Sequence, residues 1–130
     1  MSSLSSAPGG QSLSSLAETR YYDAIDSLAR GDVSGAIAGF RSSLAADPGY
    51  ADSAHGLLHA LKDDGQFDVA IAVAQQLIAA NPDDALAHTS LSILYQHQGK
   101  IPEAEAAATR AKLAGWKQQL REQNPAEGGA

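Results

Sequence analysis

The chain has 130 residues and a mass of 13.4 kDa, the size of one domain. With 26 Ala and few aromatics it suits thin, closely packed helices, and its charge of −6 (pI near 5.0) argues against a nucleic-acid binder. The absence of Cys excludes disulfides, thiolate nucleophiles and Cys-ligated zinc.

Residues 1–15 hold seven Ser and two Gly, a low-complexity composition with too little apolar surface to offset ordering entropy, and predict a flexible tail. MSSLSSAPGG has neither the positive n-region nor the apolar h-region of a secretory signal. No apolar run approaches the ~18 residues of a membrane span. A soluble, cytoplasmic domain without direct membrane insertion is expected. Ser15-Leu16-Ala17-Glu18 has the spacing of a capping box and predicts a helix start. Asn124-Pro125 and AEGGA predict a second loose end, so the folded domain is expected over 16–123, with 124–130 as a tail.

Between these ends the helix breakers recur. Gly31, Gly65 and Gly99 are 34 residues apart, as are Ala36, Ala70 and Ala104, and the apolar series Val33, Phe67 and Ile101. Asp47-Pro48 and Asn81-Pro82 are also 34 apart, and each reads as an N-cap residue before a Pro at the first helical position. Four series at one period are an internal repeat. Each unit splits at its Gly into two helix-length segments. Ala54, Leu57, Leu58 and Leu61 form one helix face in the middle unit, and Ala70, Val73, Ala74, Leu77 and Ile78 form the next. Segments of about 13 residues, about 20 Å long, joined by short turns pack as antiparallel pairs. In the first unit the apolar stripe Tyr21, Ala24, Ile25 and Leu28 lies one position later, with Asp23 and Ser27 where Leu57 and Leu61 stand one repeat on. Either that helix is rotated about its axis, or Tyr21, Ile25 and Leu28 face the groove instead of the core; a core placement is expected.

This period resembles the tetratricopeptide repeat (TPR), with units at 17–50, 51–84 and 85–118. Ala24, Leu58 and Ser92 stand at the family's eighth position, Ala36, Ala70 and Ala104 at the twentieth, Phe40, Ala74 and Ala108 at the twenty-fourth, and Pro48, Pro82 and Trp116 at the thirty-second. The resemblance implies an all-α fold, a right-handed superhelix of three helix-turn-helix pairs. Gly115-Trp116 departs from the family pattern, so residues 116–123 are expected to continue as a capping helix, with Leu113, Trp116 and Leu120 covering the open end.

The resemblance also implies a ligand groove formed by the first helices. Its positions carry over to Glu18, Tyr21, Ile25, Leu28 and Ala29, then Asp52, His55, His59, Lys62 and Asp63, then Leu86, Thr89, Ile93, Gln96 and His97. The family's carboxylate clamp is not implied, because its positions hold Tyr21, Ile25, Gly56, Leu86 and Ser90, without a cation or amide. Residues 1–99 carry 11 acids and 4 bases, a balance that favours a basic, partly apolar partner segment as readily as it describes a solvated surface.

His55 and His59 share a helix face with Asp52, a ligand set zinc uses, but without the Glu of a H-E-x-x-H motif. His88 and His97 read as packing and surface residues. No catalytic grouping, phosphate loop or cofactor motif is present. Three functions follow: a non-enzymatic protein-interaction scaffold binding a segment of another protein in its groove; a homo-oligomer built by stacking solenoids; or a metal-binding protein using Asp52, His55 and His59.

Overall fold

The structure, a computed structural model, describes residues 13–124. Six helices follow one another: α1 (Leu13–Ala29), α2 (Val33–Ala46), α3 (Ala51–Asp63), α4 (Phe67–Ala80), α5 (Ala85–His97) and α6 (Ile101–Gln123). Among the described residues there is no strand. The helices divide into two units, residues 1–66 with α1 to α3 and residues 67–130 with α4 to α6. The boundary cuts the middle 34-residue repeat at its Gly turn.

That turn has a defined chemistry. Gly31, Gly65 and Gly99 have φ of 78°, 79° and 73°, the left-handed conformation that costs a side chain-bearing residue about 1–2 kcal/mol. The residue after each Gly returns its N–H to the carbonyl five back: Asp32 to Ser27 at 2.8 Å, Gln66 to Leu61 at 2.9 Å and Lys100 to Tyr95 at 2.8 Å. Each Gly donates in turn to the carbonyl three back. This pairing satisfies the last carbonyls of α1, α3 and α5 and reverses the chain.

The longer connections differ from expectation. Asp47 and Asn81 do not cap the following helices. Each opens a turn: the Asp47 carboxylate accepts from the Gly49 N–H at 3.0 Å, and the Asn81 side-chain oxygen accepts from Asp83 at 3.2 Å. Pro48 and Pro82 occupy the second turn position, where the fixed φ of Pro is already correct. The residues before the helices are Tyr50, without a side-chain cap, and Asp84, whose carboxylate accepts from the Ala87 N–H at 3.1 Å.

The start of α1 is also corrected. The helix is already running at Leu13, so Ser15 is its third residue and not its cap. Its carbonyl accepts the Thr19 hydroxyl at 3.1 Å inside the helix. Residues 13–15 are therefore helical, and the rest of the expected N-terminal tail, with the expected tail from Pro125, lies outside the described residues.

In the first unit α1 packs on α2, and α2 on α3. Ala24 and Ser27 of α1 are buried at the positions that Leu58 and Leu61 occupy one repeat later. The helix therefore keeps the repeat's phase and is not rotated. Small side chains let the backbones approach, and Gly39 marks the closest point: a Cβ there would lie 2.8 Å from the Ala24 Cβ and 3.1 Å from its Cα. Phe40 is fully buried in this unit. A hydroxyl relay crosses its core, in which Ser53 donates to Ser43 at 2.6 Å and Ser43 donates to the Ala17 carbonyl at 2.7 Å. Hydrogen bonding removes the cost of burying these groups.

In the second unit α6 packs on α5, and α5 on α4. Ala70 and Ala104, like Ala36, are almost wholly buried, consistent with the demand for a small residue where paired helices touch. Ser92 donates to the Ala104 carbonyl at 2.8 Å across that pair. Past residue 114 the helix continues as expected, but the side chains expected to cover the open end are exposed. Residues 116–123 continue α6 without a break, and Leu113, Trp116 and Leu120 are 52%, 65% and 52% exposed. A 23-residue helix outruns the 13 residues of α5, so its last turns meet no opposing helix within the unit.

Candidate functional site

Three tyrosines gather where α1 and α3 come together. The ring of Tyr21 lies 5.2 Å from that of Tyr22 and 5.9 Å from that of Tyr50, both edge-on, and 5.9 Å from buried Phe40. These are the separations at which aromatic rings attract. Phe40 supports the cluster from below. Its ring lies against Gly56 of α3, where a Cβ would fall 2.5 Å from the ring Cζ. Tyr22 is 58% exposed, so the cluster has a buried foot and an open face.

Two carboxylates act on it. Burial raises the Tyr21 hydroxyl pKa above its ordinary value, and the charge of Asp52 followed by Tyr22 raises it further. Tyr50 is raised by burial and then by Glu18 and Asp52, with Tyr22 and Tyr21 contributing less. Burial is the larger cause of both shifts, and the smaller part comes from carboxylates beside the rings, Asp52 for Tyr21 and Glu18 with Asp52 for Tyr50. A cation is attracted there by the ring faces and by the carboxylates together.

None of the fourteen residues Glu18, Tyr21, Ile25, Leu28, Asp52, His55, His59, Lys62, Asp63, Leu86, Thr89, Ile93, Gln96 and His97 is buried. Tyr21, Ile25 and Leu28 thus stand outside the core, with Ile25 37% exposed. The first nine lie on α1 and α3 of the first unit and the last five on α5 of the second. His59 has a lowered pKa, chiefly through burial and then through Lys62 and His55, with Asp63 opposing. His97 stacks on Phe67, rings 5.0 Å apart and 12° from parallel. The metal reading fails, because among the described residues no group of three His, Asp or Glu could hold an ion.

Sequence reasoning missed Tyr22 and Tyr50. Tyr22 carried a weak signal, as the neighbour of Tyr21. Tyr50 precedes α3 by one residue and follows Tyr21 by 29, so only the packing of α1 near α3 reveals it.

A cleft of about 460 Å³ lies wholly in the other unit, lined by Gln75, Ile78, His88, Leu91, Tyr95, Glu103, Ala106 and Arg110. His88 is buried there as a packing residue, with Nε2 2.8 Å from the Pro82 carbonyl. That carbonyl can only accept, so Nε2 holds the proton. Among the described residues no helix is long and apolar enough to cross a membrane.

Comparison with known proteins agrees with this architecture. Two solved structures of MamA superpose with TM-scores of 0.76 and 0.74. At 23% and 24% identity they cover 80% and 82% of this chain. Similarity at this level shows the fold, an all-α helical repeat. The chain spans 61% and 58% of the length of those two structures. No curated protein matches it. A family model described as tetratricopeptide repeat matches residues 55–125, more than half of the sequence. With its 34-residue period, its left-handed Gly turns and its buried small residues, the chain belongs to the tetratricopeptide-repeat family.

Proposed function

We propose that this chain is a non-enzymatic interaction module whose α1–α3 face holds a basic, partly apolar segment of another protein. TPR folds are protein-interaction scaffolds, which supports binding in general. The observation that supports this particular ligand is the tyrosine cluster of Tyr21, Tyr22 and Tyr50 beside Glu18 and Asp52. An Arg or Lys stem lies along the rings while its head meets the carboxylates. Ile25 and Leu28 continue the surface along α1 for apolar side chains, and His55, His59 and Lys62 continue it along α3. The carboxylate clamp plays no part, since Tyr21, Ile25 and Gly56 supply no cation for a terminal carboxylate.

Fluorescence polarisation tests this with a labelled peptide of alternating Arg and Leu and its Glu-for-Arg counterpart. The basic peptide should bind, more weakly as salt rises, and Asp52→Asn with Tyr22→Ala should reduce its affinity by tenfold or more. Equal binding of the acidic peptide, or unchanged affinity in the double variant, refutes the assignment.

A further inference from the structure

We infer that the projecting end of α6 is itself a ligand for the α1–α3 face, supplied by a second copy of the chain. The inference rests on the proposed chemistry of that face and names its occupant. Leu113, Trp116 and Leu120 are spaced by three and four residues and so form one stripe along the last turns of α6. All three are at least half exposed, and Trp116 is the most exposed large apolar side chain among the described residues. Isolated exposed apolar residues are ordinary; a continuous stripe containing Trp marks a contact surface.

The charge of the same segment selects the partner. Residues 106–123 contain Arg110, Lys112, Lys117 and Arg121 against one acid, Glu122, in a chain whose net charge is −6. Lys117 and Arg121 lean toward Asp83 at 3.4 and 3.7 Å, but their side chains remain 63% and 49% exposed. The end of α6 is thus a basic helix with a Trp and Leu stripe. The α1–α3 face offers what such a helix needs: the exposed ring of Tyr22 beside half-buried Tyr21 and Tyr50, next to the Glu18 and Asp52 carboxylates. Pairing two α6 ends, each with four bases and one acid, would instead bring two positive segments together, which disfavours a symmetric contact. A contact between two different patches either closes reciprocally as a dimer or ring, or leaves a free patch at each end and grows; both associate the chain with itself.

Two variants separate the patches. Trp116→Glu removes the stripe's anchor, with Trp116→Ala as a milder second form. Tyr22→Ala with Asp52→Lys alters the receiving face at two exposed positions. Circular dichroism checks that each is folded, and sedimentation velocity is run at low salt from tens to hundreds of micromolar. The parent chain should associate to a dimer or larger and dissociate at high salt, and each variant should be a monomer. An equimolar mixture of the two should form a dimer and nothing larger, since only one productive pairing survives. Trp116 is the only Trp in the sequence. In the mixture with Trp116→Glu its emission therefore reports the face variant alone and should shift blue. A parent that stays monomeric over the whole range overturns the inference, as does a mixture of variants that stays monomeric. The Arg/Leu peptide distinguishes the two failures: if it binds a monomeric parent, the face is sound and only the second copy is wrong; if it too fails, the face reading falls as well.

Discussion

Gly39→Ala puts a methyl group where α1 and α2 touch. The new Cβ would lie 2.8 Å from the Ala24 Cβ and 3.1 Å from the Ala24 Cα. Neither atom can rotate away: one is a methyl without a rotamer and the other is backbone, so the two helices must separate. Overpacking of this kind costs about 1–3 kcal/mol. Replacing Gly by Ala inside a helix returns roughly 0.5–1 kcal/mol of propensity. The net expectation is a loss of up to about 2 kcal/mol, with Tm moving roughly 4–8 °C per kcal/mol in a domain of about 100 residues. Gly115→Ala isolates the packing cost. Gly115 also lies within a helix, but a Cβ there meets nothing within 4 Å, so this change should raise Tm. Thermal melts of both variants give the packing cost by difference. Adding Ala24→Gly to Gly39→Ala moves the methyl across the contact and should recover stability through a coupling of about 0.5–3 kcal/mol. If Gly39→Ala raises Tm in step with Gly115→Ala, the close approach of α1 and α2 is wrong.

Ala70→Leu should destabilise by about 1–3 kcal/mol in chemical denaturation, because Ala70 is fully buried, whereas Ala72→Leu on the exposed face should be close to neutral; equal effects would mean the phase of α4 is misassigned. Ser43→Ala strands the buried Ser53 hydroxyl and should cost about 1–3 kcal/mol, while Ser53→Ala leaves Ser43 bonded to the Ala17 carbonyl and should cost less; urea melts showing the reverse order would refute the relay's direction. His59 resists protonation in the fold, so below its ordinary value of 6.5 the unfolded chain binds the proton more readily than the folded one. Its contribution is complete above that pH and is lost as pH falls below it, and His59→Gln should flatten that part of a Tm-against-pH curve; an unchanged slope would locate the acid sensitivity elsewhere.

The part of the fold legible in the sequence is the part written in local, periodic terms. Gly31, Gly65 and Gly99 mark the reversals because only a residue without a Cβ takes positive φ without strain. Ala36, Ala70 and Ala104 mark the tight contacts, and the apolar spacing between the turns sets each helix's phase. The repeat amplifies these signals, since each position is read three times. The exceptions occur where the repeat stops repeating. Residues 116–123 carry an amphipathic pattern, but whether it covers an end depends on an opposing surface, and α6 runs on with Trp116 exposed. Asp47 and Asn81 suit a helix cap and an Asx turn alike, and the chain reversal before α3 and α5 selects the turn. Tertiary packing decided the rest. Ala24 against Gly39, Phe40 over Gly56, Ser53 to Ser43, and Tyr21 beside Tyr50 each join residues 10 to 29 positions apart on different elements. No one-dimensional period contains those distances, because they follow from how closely small side chains let neighbouring backbones approach.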